Sequence, residues 1–182
     1  MGIANAFTTA GNNASVRIIS LSMGRLTSSS QISDAVKYAY SKGKLIFCAA
    51  GTSFWWSSWF IGVIFPASMA EAVAVTGIQD NLTSACNTCH TGSKVDFVVV
   101  MEKSSNERHP TTLADYGDVP ATVGGSSVST ATTVGIAALV WSKYPAWTRD
   151  QVLNRLKISA NYYPGRNGSF GWGRINAQLA TQ

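Results

Sequence analysis

Residues Gly124–Pro145 read GGSSVSTATTVGIAALVWSKYP: two glycines and a run of small hydroxyl residues leading without a break into an apolar segment. The spacing predicts a long helix whose first residues are serines. Val134, Ile136, Ala137, Leu139 and Val140 make it apolar on nearly all sides, so it is expected to lie buried in the core. Ser127 then sits at the helix mouth, where backbone N–H groups lack an intrahelical partner and the helix dipole favours negative charge. A serine that attacks a carbonyl needs such a place, because the reaction builds an oxyanion beside it. Ser and Thr are also common helix N-caps, so the surrounding sequence has to decide.

Working outward, Val16–Leu21 (VRIISL) is a short β-branched run ended by Ser22-Met23-Gly24. Gln31–Lys42 has helical spacing, with Ile32, Ala35, Val36 and Ala39 on one face, and Gly43 stops it. Lys44–Ala50 (KLIFCAA), closed by Gly51, reads as a second strand, Ala72–Ile78 (AVAVTGI) as a third and Lys94–Val100 (KVDFVVV) as a fourth. Arg149–Ile158 reads as an amphipathic helix after Thr148, and GWGRINAQLA as a last short helix. Continuous apolar strands alternating with helices predict a three-layer α/β/α fold with a mostly parallel sheet. In such sheets ligands gather at the carboxyl ends of the strands, where Ser20–Gly24 and Gly51–Ser53 lie.

Of 182 residues, 46% are hydrophobic and 13% charged, which suits one globular domain or a large piece of one. The net charge of +5 is spread along the chain without a Lys/Arg run, a finger or a zipper, and nucleic acid is not an expected partner. GIANAFTTAGNN after Met1 has neither the basic start nor the apolar centre of a signal peptide. The longest apolar patch, Phe54–Phe65, is too short to span a bilayer, so no transmembrane segment is expected.

Taken in order, these pieces resemble the C-terminal part of a subtilase, a subtilisin-like serine peptidase. Gly125-Ser126-Ser127-Val128-Ser129 stands where the family has Gly-Thr-Ser-Met-Ala, and AALVWSKYPAWTRDQVLNRLKISA resembles the helix pair that follows. Gly171-Trp172-Gly173-Arg174-Ile175-Asn176-Ala177 resembles the closing Gly-x-Gly-x-x-Asn-Ala. Ser20-Leu21-Ser22 resembles the strand end that pairs with a substrate backbone, Ala49-Ala50-Gly51 the wall of the specificity pocket, and Phe65-Pro66-Ala67 the approach to the next core strand. The resemblance implies a serine endopeptidase with Ser127 as nucleophile and Thr52 at the oxyanion position. Ser20, Leu21, Ser22, Ala49, Ala50, Gly51 and Ser126 would contact a peptide or protein substrate. It also implies an extracellular or cell-surface location.

The departures from the family pattern shape that expectation. Subtilases carry the Asp and His of the triad in chain order before the strand that ends here at Gly24. Residues 1–182 therefore read as the C-terminal portion of the domain, without its N-terminal strands, and the missing half is a possible partner. The residue after Ala-Ala-Gly is usually an Asn whose amide donates to the oxyanion; here it is Thr52, and loss of such a donor costs roughly 100- to 1,000-fold in rate. Ser126, Val128, Ser129 and Ala131 replace the usual Thr, Met, Ala and Pro. Neither His90 nor His109 has a His-Gly-Thr setting, and Asp115-Tyr116-Gly117 follows both, so the chain alone is expected to have little triad-dependent activity. The alternative is a subtilase-like module that binds peptide without cutting it.

Cys86-Asn87-Thr88-Cys89-His90 matches the attachment signature of c-type haem. It falls between two core strands, without the flanks of a small helical cytochrome, and reads instead as a local disulfide or a pair of loop thiols. Cys48 reads as a small buried hydrophobe. The aromatic cluster Phe54-Trp55-Trp56, Trp59 and Phe60 is either a rim for substrate or a loop packed on the core. Asn13, Asn81 and Asn167 open glycosylation-type triplets. Carboxylates are scattered and mark no metal site, although subtilases often bind calcium.

Overall fold

The structure, a computed structural model, describes residues 2–52, 61–105 and 123–182. Five strands, β1 (Ile18–Leu21), β2 (Leu45–Ala49), β3 (Val73–Gln79), β4 (Phe97–Glu102) and β5 (Gly173–Arg174), form one sheet in the order β1-β2-β3-β4-β5. Every neighbouring pair is parallel. Helices α1 (Ile3–Asn12) and α2 (Ser30–Ser41) cover one face, while α3 (Ser126–Lys143), α4 (Arg149–Ile158) and α5 (Ala177–Ala180) belong to the other. The expected three-layer α/β/α architecture is therefore present.

Each face has its own core. Phe7, Val36 and Ala39 from α1 and α2 meet Ile46, Cys48 and Ala74 from the sheet. On the opposite side Leu45, Phe47, Val73, Val75 and Phe97 meet Ala137, Val140 and Trp141 of α3, with Val152 and Leu156 of α4. Alternate residues of β2 serve the two cores, which is why all five are buried and the strand reads as an unbroken apolar run. A fully buried Val, Leu or Phe side chain contributes about 1.5–3 kcal/mol. Burial also pushes the Cys48 thiol up to about 12. Cys48 is thus expected to resist a disulfide-exchange reagent in the native protein and to react once urea unfolds it, as a thiol titration would show.

The strands expected at Val16–Leu21, Lys44–Ala50 and Ala72–Ile78 are present with ends shifted by one or two residues. The fourth starts later, at Phe97: the Asp96 N–H still donates to Ala74 O at 2.8 Å, but the Ala74 N–H is taken by the side-chain Oδ2 of Asp96 at 2.9 Å instead of a backbone carbonyl, and Oδ1 pairs with Arg166 at 3.1 Å. Helix α4 starts after Thr148 as expected, fixed by a capping box in which Thr148 Oγ1 accepts the Gln151 N–H and Gln151 Oε1 accepts the Thr148 N–H.

The expectation that α3 is buried all round is overturned. Its buried residues are Ser126, Ser129, Thr130, Thr133, Ala137, Val140 and Trp141, whereas Leu139 is 58% exposed. The polar residues face inward because their hydroxyls are satisfied within the helix. Ser129 Oγ donates to Gly125 O at 3.1 Å, Thr130 Oγ1 to Ser126 O at 2.8 Å and Thr133 Oγ1 to Ser129 O at 2.9 Å. The apolar residues of the sequence did not reveal that one side of the helix is left to solvent while hydroxyl residues turn inward.

Candidate active site

Two strand ends and one helix start converge at the carboxyl edge of the sheet. β1 leaves the sheet at Leu21, β2 at Ala49, and α3 begins at Ser126 behind a left-handed Gly125 (φ 88°). Ser127 Oγ donates to Ser22 O and Ser22 Oγ donates to Ser127 O, both at 3.0 Å. This reciprocal pair ties the start of α3 to the end of β1. It also leaves the Ser127 hydroxyl exposed to an approaching group, since the contact is on the surface.

Next to it, Ser126 is buried, 1% exposed. Its Oγ lies 2.8 Å from Thr52 Oγ1 and accepts the Gly51 N–H at 3.3 Å, while the Ser126 N–H donates to Thr52 Oγ1 at 3.2 Å. The structure thus brings Ser22, Gly51, Thr52, Ser126 and Ser127 together. Ser20 faces solvent from β1 and Leu21 is half-buried. Ala49 and Ala50 have buried side chains, and the Ala50 backbone is already engaged, donating to Val75 O and accepting from the Ile64 N–H.

The acceptor of the Ser127 proton is a backbone carbonyl, which takes a hydrogen bond but is not a base. His109, Asp115–Gly117 and the aromatic cluster from Phe54 to Phe60 lie outside the described residues. His90 is 1% exposed, with its N–H donating to Gly51 O at 2.9 Å and its Nδ1 3.1 Å from Gly62 O. A carbonyl only accepts, so Nδ1 carries the proton. Among the described residues no group of three or more His, Cys, Asp or Glu stands together, and no helix is long and apolar enough to cross a membrane.

Burial holds the His90 imidazole below its ordinary pKa, against the opposing pull of the Gly62 carbonyl. The unfolded chain therefore binds this proton at a higher pH than the folded one. The contribution is fully present above the unfolded pKa of about 6.5 and is lost as the pH falls from there towards the folded value. Urea midpoints measured at about pH 7.5 and about pH 5 should show the lower value at acid pH, with a smaller difference in His90→Gln.

Cys86 and Cys89 form a disulfide. Both are buried with Met101, and Val99 and Val128 pack against them. A side chain at Gly77 would approach Cys89 Sγ to 2.8 Å and Cys86 Sγ to 3.2 Å. Cys89 also bridges Thr52 in antiparallel register, so the disulfide touches both the strand end at Thr52 and the turn of α3 that follows Ser127. Replacing both cysteines by serine should cost about 2–4 kcal/mol. In a chain of this size that corresponds to a melting temperature lower by roughly 5–15 °C, measurable by calorimetry.

Neither the reciprocal Ser22–Ser127 bonds nor the packing of His90 on Gly51 was foreseen from the sequence. The Ser126–Thr52 hydroxyl pair had a signal: both residues depart from the family pattern, and two neighbouring departures that are both hydroxyl-bearing suggest a compensating contact.

A model of the subtilase family matches residues 1–173. Subtilisin BL from Lederbergia lenta is 32% identical over 180 residues, covering 99% of this chain and 61% of its own length. M-protease from Shouchella clausii (strain KSM-K16) is likewise 32% identical over 180 residues, covering 99% of this chain and 43% of its own length. The solved structure of Sphericase superimposes with a TM-score of 0.79 at 25% identity over 96% of this chain and 62% of the other. The chain therefore spans about half the length of the relatives it matches.

Proposed function

The chain belongs to the subtilase family, and from that premise we propose that it carries the nucleophile side of a serine endopeptidase site, completed by sequence upstream of residue 1. A peptide would lie along the end of β1 as an added strand, with its scissile carbonyl over Ser127. Ser127 Oγ would attack that carbon as a histidine from the upstream segment takes the proton, and an aspartate would hold the histidine in the working tautomer. The open edge of the sheet supports an upstream contribution: Ile18, Ile19 and Leu21 of β1 are only half-buried, whereas all of β2 is buried.

The observation that carries the reading is the hydroxyl pair beside the nucleophile. Ser126 Oγ accepts the Gly51 N–H and can donate to Thr52 Oγ1. Thr52 Oγ1 then accepts from both the Ser126 N–H and the Ser126 hydroxyl, filling its two lone-pair positions. Its own proton is left to donate outward. With the Ser127 N–H at the helix start, it forms a two-donor cradle for an oxyanion. The Thr at this position thereby takes over a donor role with a hydroxyl in place of an amide. An extracellular site of action belongs to the same proposal.

A fluorophosphonate probe tests it. The chain alone should remain unlabelled, while a product extended upstream to include the Asp and His segments should be labelled at Ser127 and lose the label in Ser127→Ala. An extended product that binds peptide but takes no label would establish the non-cutting alternative, which the departures at Val128 and Ser129 favour.

A further inference from the structure

Thr52 follows the end of β2, and its hydroxyl stands beside Ser126. A Thr side chain turns about a single stiff χ1 bond, so the direction of that hydroxyl follows from where the Thr52 backbone is held. The connection from β3 to β4 holds it. Thr52 and Cys89 pair in antiparallel register, next to the bond from the His90 N–H to Gly51 O at 2.9 Å. This connection is anchored on β3 at both ends of a tight turn: the Cys86 N–H donates to Gly77 O at 3.0 Å, and Thr76 Oγ1 donates to His90 O at 2.6 Å. Between the anchors the Cys86–Cys89 disulfide closes a loop with a sequence separation of 3. Val128, where the family has Met, packs on the two cysteines, so the crosslink also meets the first turn of α3 directly after Ser127.

We propose that the Cys86–Cys89 disulfide is a positioning device: it fixes Thr52 so that its hydroxyl meets Ser126 and faces the place of oxyanion formation beside Ser127. This rests on the serine-peptidase reading above and adds to it the residues that set the oxyanion donor. A general stabiliser would sit elsewhere, because in the chain-entropy account the gain grows with the number of residues enclosed, and this crosslink encloses few. It stands instead where a hydroxyl has replaced a longer amide. An Asn side chain has a second rotatable bond with which to find its acceptor; Thr has a shorter reach, so the same service needs a backbone held in place. Both cysteines are buried, and a Cβ on Gly77 would come within 2.8 Å of Cys89 Sγ. The crosslink is thus seated against β3 and carries the rigidity of the sheet to the strand end. Neither cysteine touches the reacting atoms; both act through Thr52.

Hydrogen exchange on the intact chain, followed amide by amide by NMR, tests the clamp without a triad. Cys86→Ala/Cys89→Ala removes the crosslink, and Cys86→Ala/Cys89→Val removes it while refilling part of the space. In both, exchange should quicken at the Ser126 and His90 amides, which are bonded to Thr52 Oγ1 and Gly51 O. The increase should be at least about tenfold larger than at the Leu45 and Val152 amides, whose bonds to Arg17 O and Thr148 O lie away from the site. Equal quickening at all four overturns the proposal, since the disulfide then supports the fold and not this site. Protection restored in the Val variant overturns it too, because packing and not the crosslink would then hold Thr52. In the product extended upstream, the same variants should slow fluorophosphonate labelling of Ser127 at saturating probe while peptide affinity stays unchanged. Undiminished labelling in a variant with loosened amides overturns the proposal. A wild-type extended product that takes no label overturns the peptidase reading itself, and the catalytic purpose of the clamp with it, whatever the exchange result.

Discussion

Ser127→Ala is expected to lower kcat by on the order of a millionfold in a product extended upstream through the Asp and His segments, with KM little changed. The effect is this large because serine, base and orienting carboxylate act as a unit. What survives is the acceleration of roughly 10³–10⁴ over water that binding and the oxyanion donors supply without the triad. In the 182-residue chain the same substitution should change nothing measurable, because the Ser127 proton is donated to the carbonyl of Ser22, 3.0 Å away, and that carbonyl cannot carry it off. The comparison is made with an internally quenched peptide on both forms. Turnover by the short form that vanishes in Ser127→Ala would falsify the assignment of the base to upstream sequence.

Gly51→Ala is expected to destabilise the fold by about 3–5 kcal/mol, read as a shift in the urea midpoint. Two causes add. At φ 126° the backbone is left-handed, where a side chain is strained, and the new methyl group collides with the buried ring of His90. The causes separate in a double-mutant cycle, since His90→Ala removes the collision but leaves the strain. Gly51→Ala should therefore cost markedly less in the His90→Ala background. Strict additivity would show that the ring does not hold this strand end. Because the Gly51 N–H also supports Ser126 Oγ, a folded Gly51→Ala should lose part of the oxyanion cradle as well.

These residues also show how far the sequence could be read. Strands such as β2 declare themselves because burial on both faces leaves no polar position to break the apolar run. Helix α4 declares itself through Thr148 and Gln151, a local motif. Helix α1 gives no such sign: it carries two Asn, two Thr and a Gly and has no side-chain N-cap bond, and it is held by Phe7 packing against α2. Strand β5, two residues long, is too short for any periodicity. At the site, motif order alone points to Ser127 and Thr52 as the candidates. The contacts that tune them were not legible. His90 and Gly51 are far apart in the chain, and their meeting depends on how the connection from β3 to β4 folds back over the sheet. Nor does composition reveal that Ser129, Thr130 and Thr133 turn inward, because a hydroxyl bonded to its own helix is polar in the alphabet but not in the core.

The sheet order has a consequence for how the protein is made. Strands β1 to β4 leave the ribosome in the order in which they stand in the sheet, so each new strand can dock on the one synthesised just before it. Helix α3 follows all four and packs across β1, β2, β3 and β4. The serine at its tip therefore reaches the strand ends only when most of the sheet already exists. A nascent or truncated chain has its strand ends before Ser127, so the proposed nucleophile is the last part of the candidate site to arrive.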